Sequence, residues 1–69
     1  MERTTVSSSN INSIGYEAET QTLEIEFMRG SVYQYSDVPV EEYEAIMNAD
    51  SKGKYFNANI KIHYHFYKL

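Results

Sequence analysis

The side chains with most chemistry to offer lie near the C-terminus. His63 and His65 sit two apart, so on a strand both imidazoles point to one face, where they could ligate a metal. Zinc takes three or four protein ligands, and the chain holds no third His and no Cys, so carboxylates would have to complete the set. Two solvated histidines on an outward face need no such help. Ser7, Ser8 and Ser9 offer hydroxyls, but a nucleophile needs a base held in fixed geometry, and these serines fall in a polar N-terminal arm. The pairs Glu24/Glu26 and Glu41/Glu42 fit a wet sheet face and a helix N-terminus better than paired catalytic acids. With only Gly15, Gly30 and Gly53, neither a dinucleotide fingerprint nor a phosphate-cradling loop can be written. No catalytic residue, metal or cofactor is assigned, and the chain reads as a non-enzyme.

An affinity pattern is easier to find. Lys52, Lys54, Lys61 and Lys68 interleave with Tyr55, Phe56, Tyr64, Phe66 and Tyr67. Cations that follow a phosphate backbone, with aromatic rings that stack bases, are how single-stranded nucleic acid is held. Charge is divided unevenly along the chain. Residues 1–49 carry nine acids against Arg3 and Arg29, a balance of −7, whereas residues 50–69 carry four lysines against Asp50, a balance of +3. The candidate nucleic-acid contacts are therefore Lys52, Lys54, Lys61, His63, His65 and Lys68. Against them stands the net charge of −4, which disfavours a generic nucleic-acid binder. In a chain this small most aromatics are also needed inside, and oppositely charged halves attract each other. A protein-interaction or self-association module, using an exposed edge strand or surplus surface tyrosines, is the competing function. No small-molecule substrate is evident.

Positioning these side chains falls to one domain, residues 1–69, which is too short for a second. Such a chain buries only about 60% of its unfolded surface. The absence of Cys suits a reducing compartment. No apolar run approaches the roughly 20 residues that span a bilayer, and Met1–Thr5 lacks a signal-peptide layout, so the expected location is the cytoplasm, with no membrane partner. Residues 1–5 are expected to fray, with Val6 the one residue there able to tie the arm down.

Ile11 to Tyr16 reads as a strand with Ile14 and Tyr16 on one face, and Gly15 between them marks a bulge or a close backbone neighbour. Thr22 to Phe27 alternates cleanly, with Leu23, Ile25 and Phe27 inward and Glu24 and Glu26 outward. The turn that follows decides which way Tyr33 and Tyr35 point. A two-residue Arg29-Gly30 loop would pair Phe27 with Val32 and turn Gln34 toward the apolar face. A three-residue Met28-Arg29-Gly30 loop, with Gly30 left-handed, pairs Phe27 with Ser31, Ile25 with Tyr33 and Leu23 with Tyr35. The second register buries two tyrosines in place of a glutamine and is preferred, since a slip of one residue would reverse every side chain.

Pro39 fits the first position of a helix, with Glu41 and Glu42 in its first turn. Val40, Tyr43, Ile46 and Met47 form its apolar stripe, while Glu42 and Glu44 face water. Ser51 caps a short second helix from Lys52 to about Asn59, which turns Tyr55, Phe56 and Ile60 to the core. Ile60, Ile62, Tyr64 and Phe66 alternate with Lys61, His63, His65 and Tyr67, so Ile62–Tyr67 reads as extended. The expected fold is α+β: a three-stranded antiparallel meander, one or two helices on its face, and a C-terminal segment able to add a fourth strand. The expected core is Leu23, Ile25, Phe27, Tyr33 and Tyr35 from the sheet, with Tyr43, Met47, Tyr55 and Phe56 from the helices.

The order and spacing of these elements resemble one known family. Ser8-Ser9-x-Ile11-x-x-Ile14-Gly15-Tyr16, Thr22-Leu23-Glu24-Ile25-x-Phe27, Gly30-x-x-Tyr33-x-Tyr35-x-x-Val38-Pro39 and Ser51-x-Gly53-Lys54-Tyr55-Phe56-Asn57 together look like the KTSC domain. The resemblance spans roughly residues 6–68, and the family's central Tyr-x-Tyr element matches Tyr33-Gln34-Tyr35. The family takes its name from the C-terminus of some lysyl-tRNA synthetases, and it also forms single-domain bacterial and phage-type proteins. The family has no established activity that the resemblance carries over. The resemblance implies RNA as a partner only through the synthetase association.

Overall fold

A computed structural model describes residues 1–69. In chain order its elements are β1 (Arg3–Thr5), β2 (Ile11–Glu17), β3 (Thr22–Phe27), β4 (Val32–Tyr35), α1 (Val40–Asn48), α2 (Lys52–Asn59) and β5 (Phe66–Lys68). The strands form one antiparallel sheet in the order β1-β2-β3-β4-β5, with both helices on one face. The α+β fold expected from the sequence is present, with an additional N-terminal strand. No helix is long and apolar enough to cross a membrane.

The β3–β4 turn has the geometry its residues specify. The Gly30 N–H donates to the Phe27 carbonyl at 2.8 Å, and the Phe27 N–H donates to the Ser31 carbonyl at 2.9 Å. Gly30 takes the left-handed conformation at φ 95°, where a Cβ would be strained. The register that results pairs Ile25 with Tyr33 and Leu23 with Tyr35. One residue of difference in this loop decides which face every β4 side chain joins.

The irregularity in β2 lies at Asn12. Ile11 pairs with Phe27 and Ser13 with Glu26, so Asn12 is the extra residue of a bulge. It allows Ile11 and Ile14, three apart, to share the core face. At Gly15 the alternative of a close neighbour holds instead: a Cβ there would lie 2.5 Å from the Glu2 carbonyl oxygen. That neighbour belongs to the arm expected to fray, which is corrected here. Arg3–Thr5 pairs with Ser13–Gly15 as an edge strand, and the Val6 N–H bonds the Asn12 carbonyl.

The buried core joins Ile11, Ile14, Leu23, Ile25 and Tyr35 of the sheet to Val38, Ile46, Phe56 and Ile60. Phe27, Tyr33, Tyr43, Met47 and Tyr55 are half-buried against it. Val40, expected in the helical stripe, is exposed; Val38, in the extended entry to α1, takes the buried place. Pro39 is the N-cap of α1 and not its first helical residue. Ser51 caps α2 as expected, its hydroxyl accepting the Lys54 N–H.

The outer sheet face carries a correction too. Glu24 is buried, not wet. Arg3 covers it with an ion pair, and Gln34 Nε2 donates to its other oxygen at 2.8 Å. Burial pushes the Glu24 carboxyl up, but the bonds from Gln34 and Arg3 and the guanidinium charge outweigh it, leaving the group below the usual carboxylate range. Glu26 accepts bonds from Asn12 and Ser13, which lower it as well.

The C-terminal segment is extended over less than the expected range. The Lys61 N–H returns to the Phe56 carbonyl and the His63 N–H to Ile60, so α2 unwinds through a turn that uses the backbone groups a strand would need. Strand pairing resumes only at Phe66–Lys68, where Tyr35 faces Phe66 and Tyr33 faces Lys68.

Candidate aromatic groove

Five rings meet where the end of α2 leaves the sheet uncovered. Strand alternation sends Phe27, Tyr33, Tyr35 and Phe66 to the helix face, and Phe56 reaches down from α2. The Phe56 ring stands edge-on to Phe27 at 5.3 Å and to Tyr35 at 5.5 Å between centroids. Tyr33 meets Phe27 edge-on at 5.7 Å, and Phe66 tilts against Tyr33 and Tyr35 at 5.6 and 5.8 Å. These separations suit the ring quadrupole, so the five rings form one contiguous platform. Burial, with a smaller push from Tyr33, raises the Tyr35 phenol to about 12, so it stays protonated at neutral pH.

The rings floor an open groove of about 800 Å³. Its apolar lips are Met28, 55% exposed, and Ile62, 81% exposed. Arg29 from the β3–β4 turn and Lys61 from beyond α2 are the only charged residues lining it, and both are cationic. The ion pairs of the chain involve Arg3 alone among the cations, so both charges are free. Asn10 and Asn57 add polar edges.

One carboxylate fixes the Lys61 side of this groove. Glu42 on α1, expected in water, accepts the Tyr55 hydroxyl on one oxygen and the Tyr64 hydroxyl, at 2.8 Å, on the other. The bond to Glu42 and then burial raise Tyr55 to about 12, while burial and then the same carboxylate raise Tyr64 to about 12.

Of the six residues singled out from sequence, the structure brings Lys61 alone into the groove lining. Lys68 lies on β5 opposite Tyr33, on the same side of the sheet but outside the lining. Lys52 is half-buried and donates to the Ala49 carbonyl at 3.2 Å, bracing the turn between the helices. Lys54 is exposed on α2. His63 and His65 are exposed around Tyr64, and no group of three metal-ligating side chains forms anywhere in the chain. Arg29 and Asn57 were missed. Arg29 becomes visible once the hairpin register is known, because the loop must sit at the Phe27 end of the aromatic face.

A family model for the KTSC domain matches residues 7–64. An uncharacterised protein of Stutzerimonas stutzeri is 41% identical over 70 residues, covering 100% of this chain and 99% of that one. A lysine–tRNA ligase of Nostoc punctiforme is 49% identical over 61 residues, which are 88% of this chain and 11% of the ligase. The chain thus spans about a tenth of that enzyme. The crystal structure of a KTSC domain protein from Yersinia pestis superposes with a TM-score of 0.96 at 41% identity, covering 99% of this chain and 96% of that one.

Proposed function

The chain belongs to the KTSC domain family, and from that premise we propose that it is a non-enzymatic binding module whose aromatic groove holds single-stranded RNA. One observation carries this: five connected rings in an open groove whose only charges are Arg29 and Lys61, in a chain of net charge −4. Acidic side chains lie elsewhere, so the groove is a local exception that favours an anionic, ring-bearing ligand. Base stacking on an aromatic ring is worth about 1–3 kcal/mol per base, and phosphates meet the two cations. The related segment in a lysine–tRNA ligase adds support, since that enzyme handles an RNA.

Fluorescence anisotropy with a labelled single-stranded RNA at low and at high salt tests the proposal. Binding that weakens with salt is expected, and the Arg29→Gln/Lys61→Gln pair should lower affinity about tenfold, equivalent to about 1.4 kcal/mol. No binding at low salt, or binding indifferent to salt, overturns it.

A second use is favoured by the sheet edge. β5 pairs with β4 on one side only, and Tyr67 and Leu69 are 64% and 67% exposed beside it. Such an edge can pair with a second chain. Sedimentation across a range of concentrations distinguishes the two: a constant monomer mass removes self-association and leaves the groove.

A further inference from the structure

One buried phenol on the groove floor has no partner in the chain. Tyr16 donates its hydroxyl to the Val38 carbonyl, and Tyr55 and Tyr64 donate theirs to Glu42. Tyr35 is the one tyrosine of the buried core, 3% exposed, yet its hydroxyl bonds nothing. Burying a hydroxyl unpaired is costly, and native chains seldom do so without a use for it. No fully enclosed side-chain oxygen or nitrogen of this chain lacks a bond, so the small exposure that Tyr35 keeps includes its hydroxyl. Tyr35 lines the aromatic groove and no other cavity, so that is where the hydroxyl meets open space. Tyr33 stands beside it in the same lining, with ring centroids 6.4 Å apart and planes within 25° of parallel.

Resting on the single-strand RNA reading above, we infer that the Tyr35 hydroxyl is a ligand contact, bonding a polar atom on the edge of the base that enters the groove. Phe27, Phe56 and Phe66 in the same lining have no atom that hydrogen-bonds, and Arg29 and Lys61 suit phosphate. Every base carries an acceptor on its edge, and a phenol both donates and accepts, so the contact does not choose among bases. It chooses a nucleobase over a ring that stacks but cannot hydrogen-bond. In the free chain solvent pairs the hydroxyl. A base edge replaces that solvent bond, whereas an apolar ring would displace the solvent and leave the phenol bare. The selectivity is therefore mainly a penalty on the wrong occupant. With its phenol raised to about 12, Tyr35 keeps its proton at neutral pH and can donate.

A cycle that changes the chain and the ligand in turn tests this. The ligands are labelled oligouridine and a strand of the same length in which difluorotoluene, an isostere of uracil that stacks but hydrogen-bonds poorly, replaces every base. Tyr35→Phe should bind oligouridine about fivefold more weakly than the unmodified chain, within the worth of one neutral hydrogen bond, and bind the isostere strand as before. Its salt dependence should persist, because Arg29 and Lys61 remain. Its melt should equal or exceed that of the unmodified chain, since the lost hydroxyl had no partner, whereas Tyr64→Phe does lose one and should melt lower. A ratio of the two affinities that Tyr35→Phe leaves unchanged overturns the inference while leaving RNA binding in place. A melt lowered as far as that of Tyr64→Phe also overturns it, by showing that the hydroxyl is paired within the chain. No binding of oligouridine by the unmodified chain overturns the RNA reading itself, and this inference with it.

Discussion

The Tyr64 hydroxyl donates to Glu42 Oε2 at 2.8 Å and so ties the turn beyond α2 to the first turn of α1. Tyr55 from α2 takes the other oxygen of the same carboxylate. One side chain thereby collects two phenols from two elements, and the segment between them carries Lys61 and Ile62 of the groove. The glutamate stabilises by position, since a carboxylate with two donors has its lone pairs directed and not merely solvated.

Removing one phenol should show this. Tyr64→Phe is expected to cost about 1–2 kcal/mol, the worth of a hydrogen bond to a charged acceptor, and to lower Tm by several degrees in a chain this short. Glu42→Gln should cost at least as much, because both phenols lose their charged acceptor. The pH dependence follows from the raised phenols. Tyr55 and Tyr64 both titrate near 12 when folded, and near 10 when unfolded, so their contribution is complete below about pH 10 and is lost as pH rises through about 12. Melts across that interval should show the steepest loss for the unmodified chain and a shallower one for Glu42→Gln. The residual slope belongs to Tyr35 and Tyr16 and to the burial of Tyr64 and Tyr55, none of which the substitution removes. Identical slopes for both proteins would show that Glu42 is not the anchor.

The hairpin was legible because Gly30 and the alternation of Thr22–Phe27 are local signals that agree with each other. Ser51 and α2 were legible for the same reason. Three features were not, and each depends on residues distant in sequence. The partner of Gly15 is the Glu2 backbone, reached only once β1 folds against β2. The burial of Glu24 depends on Arg3, 21 positions away. Alternation over Ile60–Tyr67 imitates a strand, yet the end of α2 takes the backbone bonds first. The groove combines a hairpin loop, a helix end and an edge strand, so the sequence displayed its lysine and its aromatics but not that Arg29 and Asn57 would join them.

Two glycines make opposite forecasts. A Cβ at Gly15 would lie 2.5 Å from the Glu2 carbonyl oxygen, a backbone atom that can move only if β1 does. Gly15→Ala should therefore release Arg3–Thr5 from the sheet, seen as faster amide exchange there and a loss of about 1–3 kcal/mol. At Gly53 a Cβ would lie equally close to Asn10 Oδ1, but that atom ends a side chain on the surface and can swing away. Gly53→Ala gives up the contact yet gains about 1 kcal/mol of helix propensity, so its net effect on denaturant unfolding should be near zero. Equal destabilisation by the two would show that β1 yields as readily as the Asn10 side chain.

Arg3 is the ion-pair partner of a buried carboxylate, and its loss should be felt most near neutral pH. Arg3→Met is expected to cost about 2 kcal/mol, since Glu24 would retain Gln34 but lose its charged partner. Both Glu24 and Glu26 are lowered in the folded chain, so their contribution is present above about pH 4.5 and disappears as pH falls through their folded values. Acid titration should then bring the unmodified chain and Arg3→Met closer together in stability. A gap that stays constant down to low pH would mean that Arg3 stabilises by packing its stem and not by pairing.

Phe66 separates the platform from the core. Its ring is 53% exposed although it touches Tyr33 and Tyr35, whereas Phe56 on the opposite wall is 4% exposed. Truncating Phe56 would empty the centre of the fold, and a loss of binding there would say nothing about contact with a ligand. Truncating Phe66 removes a half-buried ring at the sheet edge, expected to cost about 1 kcal/mol. If the exposed face of that ring stacks a base, Phe66→Ala should weaken RNA binding about tenfold or more while the melt shifts only by a few degrees. Phe66→Tyr keeps the π-face and should restore affinity. Binding unchanged by Phe66→Ala would move the ligand off β5, toward Phe27 and the hairpin turn.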